Sequence, residues 1–196
     1  MTWTCHVITQ RFRCVASKEN SSCIPNVVSQ KQKGYNSVSI ALESGDISAI
    51  QLRSIAQFIS DFSGEGFGRN GFSQNIVLRY IHDDDLTNLY SQLIESGLAK
   101  TGSLTMASAV GCTGTTSCNL ALTNSHRLAK EIQRKFLELN LDEDDDLRDS
   151  TIKISGCPNS CGQHEIATIG FYGGGARLGK DMFPNYTMSL GCLLYT

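Results

Sequence analysis

Two cysteine pairs, Cys112 with Cys118 and Cys157 with Cys161, constrain what this chain can build more than any other feature. The 196 residues hold eight cysteines, unevenly placed. Cys5, Cys14 and Cys23 precede a stretch of about 88 residues that has none, and Cys192 stands alone near the end. A disulfide scaffold is short, secreted and carries cysteines throughout, which this pattern does not match. Met1–Ala16 lacks the uninterrupted apolar core of a signal peptide. The segment is basic and poor in acids, with Arg11, Arg13 and Lys18 before Glu19, a trait shared with organellar transit peptides. The expected compartment is therefore a reducing one, cytoplasmic, with a plastid as the alternative. In such a compartment clustered cysteines bind metal or do redox chemistry.

Charge and hydropathy exclude other classes. A net charge of −2 gives no strong field for nucleic acid or an anionic membrane. No apolar run approaches the ~20 residues of a membrane-spanning helix. Trp3 and the six tyrosines form no stripe on which bases would stack. Neither a nucleic-acid nor a membrane partner is expected.

Periodicity points to an α+β chain. Residues 1–34 show no clear period and read as an irregular arm, of which 1–25 is left unassigned. Val38, Ile40 and Leu42 alternate as in a half-buried strand. Over Ile47–Phe62 a helix is expected, with Leu52, Ile55, Ala56, Ile59 and Phe62 on one face and Asp46 or Ser48 as N-cap. Gly64, Gly66, Gly68 and Gly71 break it. Ile76–Ile81 reads as a strand, and Asp83–Asp85 as caps for a helix carrying Leu86, Leu89, Tyr90, Leu93 and Ile94, closed by Gly97.

A second unit is expected after Thr101. Its helix is expected to align Ala121, Ser125, Leu128, Ala129, Ile132 and Phe136, and the acidic run Asp142–Asp146 to be a solvated loop. Ile152 and Ile154 mark a strand that leads to Cys157. A further strand is expected over Ile166, Ile169 and Phe171, and a loop over Gly173–Gly179.

The spacings C-x5-C and C-x3-C let each pair serve one metal centre from a single loop. An iron–sulfur cubane needs four thiolates, and two such loops supply them. Gly111, Gly114, Gly156 and Gly162 allow close backbone approach to a bulky cluster. Backbone N–H groups at the start of the following helix are available to donate to sulfur, and its positive end favours thiolate. Zinc prefers C-x2–4-C in small knuckles, and four structural thiols are the remaining alternative.

The runs GCTGTTSCNLAL (Gly111–Leu122) and ISGCPNSCGQHEIATIGFYG (Ile154–Gly173) resemble the two cysteine motifs of siroheme-dependent nitrite and sulfite reductases. Gln30–Phe58 and Ser73–Tyr90 resemble the ferredoxin-like half-domain of that family. The resemblance implies a half-domain over 26–98 and a siroheme and [4Fe–4S] lobe over 102–196, the latter truncated. It implies that Cys112, Cys118, Cys157 and Cys161 ligate the cluster. Cys161 would also bridge to the siroheme iron and so carry the catalytic role. The implied reaction adds six electrons to nitrite or sulfite, with ferredoxin or a flavoprotein as donor.

An anion-binding run of the family maps to Arg69, Gly71, Ser73, Gln74 and Asn75, with Ser73 where a second arginine would stand. This is similar to the family's second half-domain. Gln74, Asn75 and Asn159 are the candidates for hydrogen bonds near the siroheme carboxylates, and Arg69 is open between an anion contact and a surface role. A complete enzyme of the family has two half-domains and this chain shows one. The expected partner is therefore a first half, whether the enzyme is split or the chain a fragment. A non-catalytic [4Fe–4S] electron-transfer module and a zinc-stabilised interaction domain are the alternative functions.

Three weaker signals are set aside. Gly174–Asp181 approaches a P-loop, but Asp181 replaces the magnesium-binding hydroxyl and Pro184 opposes a following helix. His164-Glu165 lacks the second histidine of a zinc-protease helix, so His164 is expected to be packed or at the surface. Cys5, Cys14, Cys23 and Cys192 read as plain thiols.

Overall fold

The computed structural model describes residues 26–100, 102–103, 105–141, 144–147 and 150–191. The expectations for the arm 1–25, for Cys5, Cys14 and Cys23 within it, and for Cys192 lie outside the described residues. The chain divides into two compact units, one ending at Leu104 and the other beginning at Thr105.

The first unit is a four-stranded antiparallel sheet with two helices. Its strands are β1 (Val27–Ser29), β2 (Tyr35–Ile40), β3 (Arg69–Asn70) and β4 (Ile76–His82), in the order β1-β2-β4-β3. Helix α1 (Ala49–Phe62) joins β2 to β3, and α2 (Leu86–Glu95) follows β4. Ser48 is the N-cap of α1, in a capping box with Gln51. The buried residues of α1 are Ile55 and Phe58, with Ile59 and Phe62 partly buried against the core. Leu52 and Ala56, expected on that face, are exposed because the stripe toward the sheet runs through Phe58.

Val38, Ile40 and Leu42 are all in the core with Leu78, Ile81, Leu89 and Leu93, but the segment is more than half-buried, since Ser39 and Ala41 between them are buried as well. In β4 the period of two slips. Ile76 and Leu78 are buried, and then Ile81, because a bulge at Arg79–Tyr80 inserts an extra residue opposite Asn36–Val38. Tyr80 sits there at φ 57°, and its N–H, lost to the ladder, donates to Gln30 Oε1 at 2.7 Å. Two buried asparagines tie the end of the unit. Asn26 donates to the Lys100 carbonyl at 2.8 Å and Asn75 to the Ser103 carbonyl at 2.5 Å.

The second unit is a mixed sheet of order β5-β6-β7-β8, formed by β5 (Val110–Gly111), β6 (Ile152–Ser155), β7 (Ile169–Leu178) and β8 (Asp181–Leu190). β5 and β6 are parallel, β6 and β7 are parallel, and β7 and β8 form a ten-pair antiparallel hairpin. Helix α3 (Ser125–Glu138) lies between β5 and β6 in the chain and packs Leu128, Ala129, Ile132 and Phe136 against Ile152 and Ile154. The two units together are an α+β chain.

Three expectations for this unit are corrected. Ala121 lies before the helix, which Asn124 caps by accepting the Arg127 N–H. Ile166 belongs to a short 3-10 turn, His164–Ile166, and the strand begins at Ile169. The stretch Gly173–Gly179 is mostly strand rather than loop, with the turn at Gly179–Lys180. Gly173 serves contact, because a Cβ there would lie 2.1 Å from Thr123 Oγ1 and 2.3 Å from the Gly156 carbonyl oxygen.

Candidate functional site

The cysteine loops are brought together by strand pairing. Cys112 directly follows β5, and Cys157 follows β6 after a single glycine. The two strands are parallel neighbours, so both loops leave the same edge of the sheet at its carboxyl ends, where open α/β sheets hold their ligands. The Cys112 N–H donates to the Ile154 carbonyl at 3.0 Å, which continues the ladder into the loop. The Leu122 and Thr123 N–H groups both donate to the Gly156 carbonyl, at 2.8 and 3.1 Å, and lash the first loop to the second.

The glycines around the cysteines make this contact possible. A Cβ at Gly156 would meet Gly114 Cα at 2.9 Å, and one at Gly114, which has φ 55°, would meet Ser125 Oγ at 2.5 Å. A Cβ at Gly111 would fall 2.9 Å from the Ser125 carbonyl oxygen. Gly111, Gly114 and Gly156 thus admit the neighbouring loop and helix.

Sulfur donors are present. The Gly156 N–H donates to Cys112 Sγ at 3.1 Å. Ser125 Oγ, fully buried at the first residue of α3, lies 3.1 Å from the same sulfur and donates to the Cys112 carbonyl at 2.8 Å. The helix start contributes this hydroxyl, while the donating N–H belongs to the opposite loop. The Gly156 N–H is a donor that stabilises an anionic thiolate, while the Ser125 hydroxyl gives its one proton to the Cys112 carbonyl and is placed to accept from the thiol. Cys157 is buried, Cys112 half-buried, and Cys118 and Cys161 exposed. Among the described residues no three His, Cys, Asp or Glu side chains are gathered as ligands of a single ion. A cubane places each thiolate on its own iron, so its ligands stand further apart than those of one ion. Two paired loops with sulfur donors fit that chemistry.

The other expected residues fall in different surroundings. Gln74 and Asn75 belong to the first unit and Asn159 to the second. Asn159 is exposed, between Cys157 and Cys161. Gln74 holds φ 61° in the loop between β3 and β4, and its N–H donates to the Gly71 carbonyl. Asn75 is buried, accepting the Leu42 N–H at 3.0 Å as well as donating to Ser103. Its amide thus serves the first unit's own backbone. Arg69 pairs with Glu65 at 2.6 Å and lies over the Phe67 ring, an exposed surface arrangement.

His164 is packed, at 3 % exposure, with Nδ1 2.9 Å from Ser155 Oγ and its ring tilted against Tyr172. Burial pushes the His164 imidazole below its usual range, against an opposing pull from Glu165. Lys153, also buried, donates to Gln163 Oε1 at 2.5 Å, and burial pushes its amine down. The sequence pattern assigns Lys153 and Ser155 no role and places Ser125 only on a helix face. The alternation Ile-Lys-Ile-Ser does signal a polar face on β6, but not that this face is buried.

The first unit matches, over residues 28–96, the family described as the nitrite/sulfite reductase ferredoxin-like half domain. Ferredoxin–nitrite reductase of Synechococcus elongatus is 32 % identical over 162 residues, covering 83 % of this chain and 31 % of that protein. Sulfite reductase [ferredoxin] 1 of Mycolicibacterium paratuberculosis is 28 % identical, covering 76 % of this chain and 27 % of that protein. The solved structure of the Mycobacterium tuberculosis NirA protein superposes with a TM-score of 0.66 at 26 % identity, over 89 % of this chain and 32 % of that one. The chain belongs to the nitrite/sulfite reductase family and spans about a third of the length of these relatives.

Proposed function

We propose that this chain supplies the cofactor-holding part of an oxidoreductase that reduces nitrite to ammonium or sulfite to sulfide, with residues 26–98 as its ferredoxin-like half-domain and 102–196 as its siroheme and [4Fe–4S] lobe. The observation that carries the reading is the parallel pairing of β5 with β6, which delivers Cys112 and Cys157 to one edge of the sheet. In it Cys112, Cys118, Cys157 and Cys161 hold the cluster, and Cys161 joins it to the siroheme. When bound, the two cofactors together supply electrons to the anion. The chain's own residues hold and tune. Gly156 directs its N–H at the Cys112 sulfur with Ser125 Oγ beside it, and the Leu122 and Thr123 N–H groups tie the loop of Cys112 and Cys118 to the start of the loop of Cys157 and Cys161. Gln74 and Asn159 are the residues for the siroheme carboxylates, while Asn75 shapes the loop beside Gln74. Ferredoxin, part of the names of several relatives, is the donor that fits this reading, and the other half-domain is the protein partner if the enzyme is split or the chain a fragment. No helix among the described residues is long and apolar enough to cross a membrane.

Anaerobic purification followed by iron, acid-labile sulfide and zinc assays tests the cluster. Iron and sulfide in equal amounts are expected, and zinc without labile sulfide would refute it. Siroheme added with a first-half partner is expected to bind and to give the absorption of a coupled site. Cys161→Ser is expected to disturb both cofactors and Cys5→Ser neither; equal losses would refute the assignment.

A further inference from the structure

β6 reads Ile152-Lys153-Ile154-Ser155, and all four residues are buried. Ile152 and Ile154 join the core formed with α3. Strand alternation therefore turns Lys153 and Ser155 to the opposite face. The segment that follows Cys161 is laid along this second face. Ser155 Oγ accepts the Gly162 N–H at 3.1 Å and lies 2.9 Å from His164 Nδ1. Lys153 Nζ donates to Gln163 Oε1 at 2.5 Å. The contact between segment and strand is close, since a Cβ on Gly162 would lie 2.0 Å from the Ile154 carbonyl oxygen. Burying an amine, a hydroxyl and an imidazole is unfavourable unless they are partnered, and here they hold the three residues directly after Cys161.

The backbone on both sides of Cys161 is strained. Ser160 has φ 59° and Gln163 φ 59°, and the Gln163 N–H donates to the Ser160 carbonyl at 2.7 Å, closing a tight turn around the cysteine. Non-glycine residues in the left-handed region persist only where surrounding structure holds them there. Lys153, Ser155 and His164 supply that hold.

We infer that the buried polar face of β6, Lys153 and Ser155 acting through Gln163 and His164, forms a clasp that sets the position and orientation of Cys161, making Lys153, Ser155 and His164 positioning residues for the cofactor site. The inference rests on the reading of Cys161 as a ligand, and a measurement that needs no cofactor separates the two.

The test uses the full chain with Ser155→Ala, Lys153→Met, Lys153→Arg and His164→Phe. In the protein without cofactor, hydrogen exchange read by mass spectrometry over residues 158–166 is expected to speed up on the order of tenfold in Ser155→Ala, and to stay near wild type in Lys153→Arg. After anaerobic reconstitution with ferrous iron and sulfide, Ser155→Ala, Lys153→Met and His164→Phe are expected to shift the electron paramagnetic resonance spectrum of the reduced cluster. They are also expected to lose iron to a chelator several-fold faster, with Lys153→Arg restoring both. Should Lys153→Met fail to fold, Ser155→Ala and Lys153→Arg carry the comparison. Unchanged exchange in Ser155→Ala, or variant clusters identical in spectrum and retention to wild type, overturns the inference. If the wild-type chain takes up no iron and sulfide, the cluster reading fails, and the exchange measurement still decides whether the clasp exists.

Discussion

Gly162→Ala tests how closely the cysteine-bearing segment is seated. The added Cβ would lie 2.0 Å from the Ile154 carbonyl oxygen and 2.6 Å from its carbon, so the segment must move by about 1 Å to reach an ordinary contact. The strand cannot yield. β6 is paired on both sides, and the same Ile154 oxygen accepts the Cys112 N–H. Overpacking of this kind costs about 1–3 kcal/mol. Pulling the Gly162 N–H away from Ser155 Oγ adds about 1 kcal/mol. A total near 2–4 kcal/mol, at roughly 4–8 °C per kcal/mol for a unit of this size, lowers the melting midpoint by about 10–30 °C. Circular dichroism melts of the full chain without cofactor measure it, with hydrogen exchange of the β6 and β7 amides assigning the transition to the second unit. Gly174→Ala is the control, because its Cβ would meet only the end of the Asn185 side chain at 3.2 Å, and a change within about 0.5 kcal/mol is expected. If the two variants melt alike, the steric reasoning is wrong.

The first unit offers two further tests. Leu89→Ala removes a fully buried side chain from α2 and is expected to cost about 2–5 kcal/mol, read from urea unfolding; a loss below 1 kcal/mol on the same scale would contradict the packing. Asn75→Ala leaves the Leu42 N–H and the Ser103 carbonyl without that partner in a buried place and is expected to cost about 1–3 kcal/mol by the same measurement. In the second unit the folded His164 titrates below the ordinary value of about 6.5. The stability it contributes is therefore full above that value, and is lost as the pH falls through it toward the lowered folded value, where the unfolded chain binds the proton first. His164→Phe is expected to flatten the pH dependence of the melting midpoint between pH 7 and 5, and an unchanged slope would refute the assignment.

Local patterns were legible where one face of an element is lined by apolar residues. Val38, Ile40 and Leu42 alternate because β2 has a core side, and Leu86, Leu89 and Leu93 recur because α2 does. The pattern misled where tertiary contact decides the residue type. The glycine run from Gly173 has the composition of a loop, yet Gly173 lies in a strand because only a glycine lets β7 pass against Gly156 and Thr123. Lys153 and Ser155 follow the alternation of a half-exposed strand, but the chain returning after Cys161 covers them. The bulge at Arg79–Tyr80 left no mark in the sequence, because the groups it frees are satisfied by residues far along the chain such as Gln30. For the site, the two cysteine pairs were visible as spacing. That they share one edge of a sheet followed only from the parallel register of β5 and β6.

Parallel pairing of β5 with β6 also sets the order in which the site is made. Antiparallel strands meet across a short turn, whereas these two meet only after α3 and its connections have been synthesised between them. At about 5–20 residues per second, the roughly 40 residues from Cys118 to Cys157 take about 2–8 s to emerge. For that interval the first two thiols exist without the second two, and the loop that holds them lacks Gly156, whose N–H and carbonyl later bind it. An iron donor arriving early meets half a site, and an oxidant arriving early meets two thiols with five residues between them and nothing yet to shield them.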